Sequence, residues 1–156
     1  MPQKMKLSSP AFQPGTEIPV QYTCLGPNIN PPLIFSELPD GVKSFVFILE
    51  DVDAKPTPWT HWMLFNIPDH VLEIQENSIP KNSIEGLANN HSFGYEGPCP
   101  KYFSGTHHYW FRLYALNKKL DLPAASERSE VWQAMQGYII GEASLLGLCT
   151  SAGNNS

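Results

Sequence analysis

The stretch GPCPKYFSGTHHYWFRLYAL, residues 97–116, brings chemically active side chains into one short segment. Cys99 lies between two prolines, and the adjacent histidines His107 and His108 are followed by Tyr109. Thiols, imidazoles and phenols serve as nucleophiles, as metal ligands and as hydrogen-bond donors to anions. The segment is therefore a candidate for a catalytic, a metal-binding or an anion-binding site.

A second candidate segment, LEDVDAKPTPWTHW, carries carboxylates at the end of an apolar run. Asp51 and Asp53 are two residues apart, which places them on one face of an extended strand. His61 follows a proline-rich loop, and a β-rich fold can return this histidine to the side of the carboxylates. Paired aspartates at a strand end are nevertheless more often turn residues than catalytic residues.

Metal binding and nucleophilic catalysis are the weaker hypotheses for these two segments. Asp51, Asp53, His61 and His107 are residue types that bind metals, but the close spacings of dedicated metal sites, such as HxH or HExxH, are absent. Cys99 has no predicted base or helix N-terminus beside it to activate the thiol. We therefore expect no metal, no cofactor and no catalytic residue, and we interpret Cys99 as a small buried hydrophobic side chain.

An anion site fits the same residues better. Phosphate-like groups bind to convergent N–H and O–H donors, which His61, His107 and Tyr109 can supply. Glycine lets the backbone approach a ligand closely, so the turn at Gly97 can add backbone N–H groups. Because side chains alternate along a strand, His107 and Tyr109 share a face, and His108 points to the opposite face.

The carboxylates need a separate explanation, because they repel anions. A carboxylate bonded to an imidazole fixes its tautomer and favours its charged form. Asp51 and Asp53 can therefore hold the histidines as donors. They can alternatively accept a cationic group that is joined to a phosphate.

Composition limits the class of protein. The chain has 156 residues, 42% of them hydrophobic, which predicts one domain with a substantial core. A net charge of -5 without a long basic run argues against nucleic-acid binding. No signal peptide is visible, and the apolar runs are too short to span a bilayer. The three cysteines Cys24, Cys99 and Cys149 are widely spaced and odd in number, so we expect no disulfide framework and a reducing, cytoplasmic compartment.

The elements that must position the site are mainly strands. Fifteen prolines are spread along the chain, which predicts many rigid turns. SFVFILED, HWMLFNI and HHYWFRLYAL are strand-like apolar runs between these turns. One helix is predicted within 120–137, with start signals at Asp121 and Pro123 and a stop at Gly137. Residues 138–149 fit a second short helix, a strand, or both in turn, and residues 1–5 and 151–156 are expected to be frayed.

Two of these segments resemble the signature regions of a known family. DVDA followed by HW, and GYEGPCP followed by GTHHYWFRLYAL, are similar to the motifs of the phosphatidylethanolamine-binding proteins, nearest to a Raf-kinase-inhibitor-like bacterial branch. The opening LSSPAFQPGTEIPVQYTCLGPNINPPL and the late MQGYIIGEASLLG match that branch as well. The resemblance covers nearly the whole chain and implies a single domain over residues 1–156.

The resemblance implies a compact, mainly β fold of two antiparallel sheets, with one or two short helices near the C-terminus. It also implies a small pocket that binds phosphate-like anions or phospholipid head groups without catalysis. Some members of the family inhibit a kinase or a protease, which is the alternative function, and a hydrolase ranks third. Whether the protein forms a homodimer stays open. By match to the motifs, the pocket is lined by Asp51, Asp53, His61, Gly97, Pro98, His107 and Tyr109.

The chain departs from the family motifs in three places. Val52 stands where the family has a proline, and His108 stands where it has an arginine. The loop PCPKYFSGT is longer than its common bacterial form, and Tyr102 and Phe103 are expected over the pocket mouth. These departures bear on ligand choice more than on the fold.

Overall fold

The computed structural model describes residues 2–151 and contains ten strands, one α-helix and two short 3-10 turns. The 3-10 turns cover Val20–Tyr22 and Pro100–Tyr102. The helix α1 spans Arg128–Met135. The strands are β1 (Gln3–Lys4), β2 (Lys6–Ser8), β3 (Thr16–Glu17), β4 (Leu33–Ser36), β5 (Ser44–Asp51), β6 (Trp59–Pro68), β7 (Glu73–Ile74), β8 (Ile84–Glu85), β9 (Thr106–Leu116) and β10 (Ile139–Thr150).

The strands form two sheets, as the resemblance implies. The larger sheet has the order β1-β10-β9-β5-β6-β8, with β3 also paired to β10, and the smaller sheet has the order β2-β4-β7. The long central strands are all antiparallel. Only the short strands β1 and β3 run parallel to their neighbour β10 among the described pairs.

The central strand β5 is buried along its whole length because the larger sheet is covered on both faces. On one face Phe47 and Leu49 pack with residues of the smaller sheet, such as Phe35, in one hydrophobic cluster. On the other face Val46 and Ile48 join a second cluster, which includes residues of α1. A strand with two buried faces reads as a continuous apolar run rather than an alternating one, and SFVFILED has that pattern.

The predicted helix is shorter than its sequence signals suggested. It begins at Arg128 rather than near Asp121, because Glu127 and Glu130 form a capping box that satisfies the backbone N–H groups of the first turn. The helix ends at Met135. Gly137 follows with a φ of 90°, a conformation that favours glycine, so the predicted stop is confirmed.

The last predicted segment is a strand. β10 pairs with β9 over its full length, so the helical alternative for residues 138–149 was wrong. The N-terminal prediction was also wrong for residues 3–5, because Gln3 pairs with Gly141 and Met5 is buried. Of residues 151–156, only Ser151 lies within the described part. No helix described here is both long and apolar enough to cross a membrane.

Candidate functional site

The carboxylate of Asp51 lies at the centre of the candidate site, at the end of β5. Asp51 pairs directly with Tyr109 on β9, so the two side chains lie on one face of the sheet. His107, two residues earlier on β9, shares that face, and its Nδ1 lies 2.7 Å from Oδ2 of Asp51. The second carboxylate oxygen accepts the backbone N–H of Asp53 at 2.9 Å. Asp51 is buried, and both of its carboxylate oxygens accept hydrogen bonds from the protein.

His61 reaches the site through an irregularity in the sheet. Leu49 pairs with Trp62, but Glu50 pairs with Thr60, so His61 is an extra residue on β6. An extra residue of this kind is a β-bulge, which redirects a side chain. The imidazole of His61 consequently meets Tyr109 edge-on, with ring centroids 5.3 Å apart.

The protonation of His61 follows from its partner and its burial. Its Nδ1 lies 2.6 Å from the carbonyl oxygen of Glu96, which can only accept, so Nδ1 carries the hydrogen. Burial lowers the pKa of His61, and this effect outweighs the Glu96 carbonyl and the Asp51 charge, both of which raise it. His61 is therefore neutral at ordinary pH, and its Nε2 carries a lone pair.

His107 has the same tautomer for a different reason. Its Nδ1–H is donated to Asp51, because the carboxylate of Asp51 is an acceptor. Among residues 2–151 no buried side-chain nitrogen or oxygen lacks a hydrogen-bond partner. The Nε2 atoms of His61 and His107 have no protein partner in that part of the chain, so they must be accessible from outside. These two atoms are the open positions of the site.

Phe103 covers one face of His107. The two rings are stacked, with centroids 3.7 Å apart and planes 13° apart. Tyr102, in contrast, is 80% exposed. The stack places Phe103 beside His107, and the position of Tyr102 over the mouth of the site stays a prediction.

Tyr109 keeps its proton. Burial raises the pKa of Tyr109 far above its ordinary value, and the Asp51 carboxylate raises it further. The hydroxyl therefore stays a potential donor at every ordinary pH.

Asp53 does not share the site with Asp51, contrary to the expectation that they lie on one face. The strand ends at Asp51, and Asp53 lies in the following turn. Its Oδ2 accepts the backbone N–H of His108 at 2.6 Å and contacts the ring Nδ1 at 2.8 Å. Partial burial opposes ionisation, but these hydrogen bonds prevail and lower the pKa of Asp53. Asp53 and His108 thus form a half-exposed pair beside the site.

Gly97 and Pro98 build the loop rather than offer donors to a ligand. The N–H of Gly97 donates to Oδ1 of Asn28 at 2.9 Å. A Cβ on Gly97 would lie 2.0 Å from the carbonyl oxygen of Tyr22, so only glycine fits this close approach. Pro98 has no N–H, and its carbonyl accepts the N–H of Cys24 at 3.0 Å.

The loop is also fixed covalently. Cys24 and Cys99 form a disulfide across 75 residues of sequence, so the expectations of no disulfide and of a buried hydrophobic role for Cys99 were wrong. Cys149 is the free cysteine and is buried, and burial raises its pKa to about 11. Disulfides are typical of oxidising compartments, so the cysteine pattern no longer argues for a reducing one.

The site residues do not form a recognisable metal centre. Within residues 2–151 there is no group of three or more His, Cys, Asp or Glu side chains arranged to hold a metal ion. The sequence singled out the four clustered residues Asp51, His61, His107 and Tyr109. It gave no signal for the Glu96 carbonyl or for the Cys24–Cys99 pair, because both depend on how distant segments meet.

A comparison with known protein families shows to which family this chain belongs. Residues 8–150 match the family described as phosphatidylethanolamine-binding protein. The chain belongs to the phosphatidylethanolamine-binding protein family. This match covers both signature regions and confirms the resemblance seen in the sequence.

The chain is similar to curated relatives in sequence and to solved structures in fold, in each case over almost its full length. A UPF0098 protein of Methanothermobacter thermautotrophicus is 43% identical over 149 residues, which is 92% of this chain and 97% of the relative. The crystal structure of CT736 from Chlamydia trachomatis, a phosphatidylethanolamine-binding protein homologue, superimposes with a TM-score of 0.89 at 35% identity, covering 96% of this chain and 99% of CT736. YbcL of Escherichia coli superimposes with a TM-score of 0.86 at 25% identity, covering 94% and 98%.

Proposed function

We propose that this protein binds a small phosphate-like anion, or the phosphorylated head group of a larger molecule, without transforming it. The observation that carries the proposal is the His107–Asp51 pair. Nδ1–H of His107 is committed to Asp51, so protonation of His107 adds its hydrogen at the accessible Nε2. A charged imidazole that donates from a partly buried site is a suitable receptor for an oxyanion.

Charge explains why this receptor depends on protonation. With neutral histidines, the cluster carries the negative charge of Asp51, and the nearby carboxylates of Asp53 and Glu96 add to it, so an anion is repelled. A proton on His107 offsets the charge of Asp51 and supplies a donor at Nε2. Tyr109, whose hydroxyl stays protonated, contributes no opposing charge.

The absence of catalysis is part of the proposal. Two of the three cysteines, Cys24 and Cys99, are joined in the disulfide. The third, Cys149, is buried and its pKa is raised. None of the three therefore provides a thiolate nucleophile. Turnover of a phosphate ester by the purified protein, lost in His107→Gln, would contradict this part of the proposal.

The anion site is tested by titrating the protein with sulfate and following the histidine resonances by NMR. Sulfate keeps its charge across the range, so the pH dependence reports on the protein alone. We expect sulfate to bind several-fold more weakly at about pH 8 than at about pH 5.5, because only a protonated imidazole can donate from both ring nitrogens. His107→Gln should weaken binding and flatten the pH dependence. His108→Gln is the matched control, because the exposed His108 ring is bonded to Asp53 instead. Equal affinities at both pH values would exclude His107 as the charged receptor.

A protein-docking role is the second candidate, and exposed apolar side chains favour it. Val20, Leu25 and Tyr102 are 57%, 59% and 80% exposed and lie on the two segments that the disulfide joins. Exposed apolar residues beside a ligand site are typical of a protein contact surface. Inhibition of a protease or a kinase that is lost in Leu25→Ser and Tyr102→Ser, but persists in His107→Gln, would favour this role over anion binding.

Two further expectations, the cytoplasmic location and the homodimer, are separate from the proposed function and stay predictions. The cytoplasmic location is tested by cell fractionation together with the redox state of Cys24 and Cys99 in cells. The homodimer is tested by light scattering of the purified protein.

A further inference from the structure

We infer that the Cys24–Cys99 disulfide is a redox switch that controls the cover of His107. When the disulfide is closed, it holds Phe103 over the imidazole of His107, and when a dithiol reduces it, Phe103 is released. The inference deepens the proposed function, on which its consequence for binding rests, because it gives the candidate site a regulation. The release of Phe103 is a property of the protein alone and is measured without a ligand.

The loop that carries Cys99 is held in two different ways. Three hydrogen bonds join its first part, residues 95–98, to residues 22–28: from the Tyr95 hydroxyl to the Tyr22 carbonyl at 2.7 Å, from the Gly97 N–H to Oδ1 of Asn28 at 2.9 Å, and from the Cys24 N–H to the Pro98 carbonyl at 3.0 Å. This part includes Glu96, whose carbonyl oxygen lies 2.6 Å from Nδ1 of His61. Because none of these hydrogen bonds involves a sulfur atom, residues 95–98 keep their place when the disulfide opens.

The second part of the loop, residues 99–104, is the cover segment, and it depends on the disulfide. Among residues 2–151, its described hydrogen bonds are local, since the N–H groups of Tyr102 and Phe103 donate to carbonyls within the segment. Apart from the disulfide, the segment is attached by apolar contacts, because Pro100 is buried and Phe103 packs against a hydrophobic cluster and on His107. Ordering six residues costs more conformational entropy than one packed ring restores. With the disulfide open, the cover segment is therefore mobile and Phe103 leaves His107.

The disulfide lies where a reductant can reach it. Cys24 and Cys99 are both partly exposed, whereas Cys149 is buried. A thiolate of the dithiol attacks one sulfur, the S–S bond breaks, and the other sulfur leaves as a thiolate that takes up a proton. The second thiol of the reductant then displaces the protein from the mixed disulfide. The protein gains two electrons and two protons, and the dithiol is oxidised to a disulfide.

Opening the switch changes the surroundings of His107 but not those of His61. In the oxidised protein the Phe103 ring excludes water from one face of the His107 imidazole. A charged group interacts more strongly with its partner where water is excluded. Release of Phe103 lets water reach that face, so an anion at His107 is held more weakly. We therefore expect the oxidised protein to be the form that binds more tightly.

The test compares the NMR signals of the oxidised and the dithiol-reduced protein at one pH and without a ligand. Reduction should move the His107 ring signals downfield, toward their positions in Phe103→Ala, because a phenyl face shifts the protons above it upfield. The His61 ring signals should stay in place, because the Glu96 carbonyl is still held. The indole N–H of Trp62, which donates to Glu85 at 3.1 Å, reports that the fold is intact and should also keep its signal.

Two variants provide the controls. The Cys24→Ser, Cys99→Ser double variant should resemble the reduced protein and should not respond to the dithiol. Reduction of the wild-type protein should weaken sulfate binding several-fold, and Phe103→Ala should weaken it by a similar factor. Reduction of Phe103→Ala should then change neither the His107 signals nor the sulfate affinity further. This lack of additivity tests whether the disulfide acts through Phe103.

The outcomes separate this inference from the function on which it rests. Unmoved His107 signals, in protein whose disulfide is shown to be open by counting its thiols, would overturn the inference. Loss of the Trp62 and His61 signals together with those of His107 would overturn it as well, because the disulfide would then support the whole fold. A disulfide that resists a dithiol in the folded protein would not be a switch. If sulfate binds neither form, the proposed function fails, and the ligand-free signals still decide the inference.

Discussion

The phenyl ring of Phe103 lies parallel to the imidazole of His107, with ring centroids 3.7 Å apart. Phe103 belongs to the loop that is anchored by the Cys24–Cys99 disulfide, so the cover over His107 is tied to a segment 75 residues away. The stack covers one face of the imidazole and leaves the ring edge, where Nε2 lies, uncovered by Phe103.

Removing this cover should change the magnetic environment of His107 without any ligand present. A ring proton above a phenyl face resonates upfield, so Phe103→Ala should move the His107 ring signals downfield in the NMR spectrum. Tyr102→Ala is the matched control. Tyr102 is the neighbouring aromatic residue and is 80% exposed, so its removal should leave the His107 signals in place. Unchanged His107 signals in Phe103→Ala would show that the rings are not stacked in solution.

Site residues and core residues on β9 should differ in their effect on stability. We expect His107→Ala or Tyr109→Phe to leave the fold largely intact, since the first side chain lies at the site and the second change removes only a hydroxyl. Phe111→Ala should cost about 3–5 kcal/mol, because Phe111 is fully buried between Phe12 and Phe47. Urea unfolding measures the three differences. Equal losses would mean that His107 and Tyr109 serve packing rather than binding.

The disulfide should be a major contribution to the free energy of unfolding. It closes a long loop, and a crosslink of this kind typically stabilises a fold by about 2–5 kcal/mol. The Cys24→Ser, Cys99→Ser double variant should lose an amount in that range, as measured by urea unfolding with matched slopes. Denatured protein should show one reactive thiol without a reductant and three with it. Three thiols without a reductant, in protein purified under air, would show that the crosslink is absent.

Stability should decrease toward acid pH because of His61. Its folded-state pKa is lowered, so the unfolded chain binds a proton that the folded chain excludes. This contribution is fully present above the ordinary histidine pKa of about 6.5 and is lost as the pH falls toward the folded-state value. Urea unfolding between about pH 8 and pH 5 should show the decline. A folded His61→Gln variant should show a shallower one, and an identical slope in that variant would assign the decline to other groups.

Features that depend only on neighbouring residues could be predicted from the sequence. The uninterrupted apolar run of β5 predicted a strand, and its eight residues are all buried. The alternation along β9 placed His107 and Tyr109 on one face and His108 on the other, as their separate partners Asp51 and Asp53 confirm. Both features follow from the local geometry of a pleated strand and therefore need no knowledge of distant residues.

Which candidate residues meet, and through which atoms, could not be predicted from the sequence, because it depends on how distant segments pack together. The bulge that turns His61 toward Tyr109 is an offset between β5 and β6, and no pattern within β6 encodes it. The disulfide depends on two loops meeting across 75 residues, although the cysteine count argued against it. The Glu96 carbonyl that fixes the tautomer of His61 is a backbone group, which every residue has. Periodicity reports which face a side chain takes, whereas a hydrogen bond or a crosslink requires the position of its partner, and long-range packing sets that position.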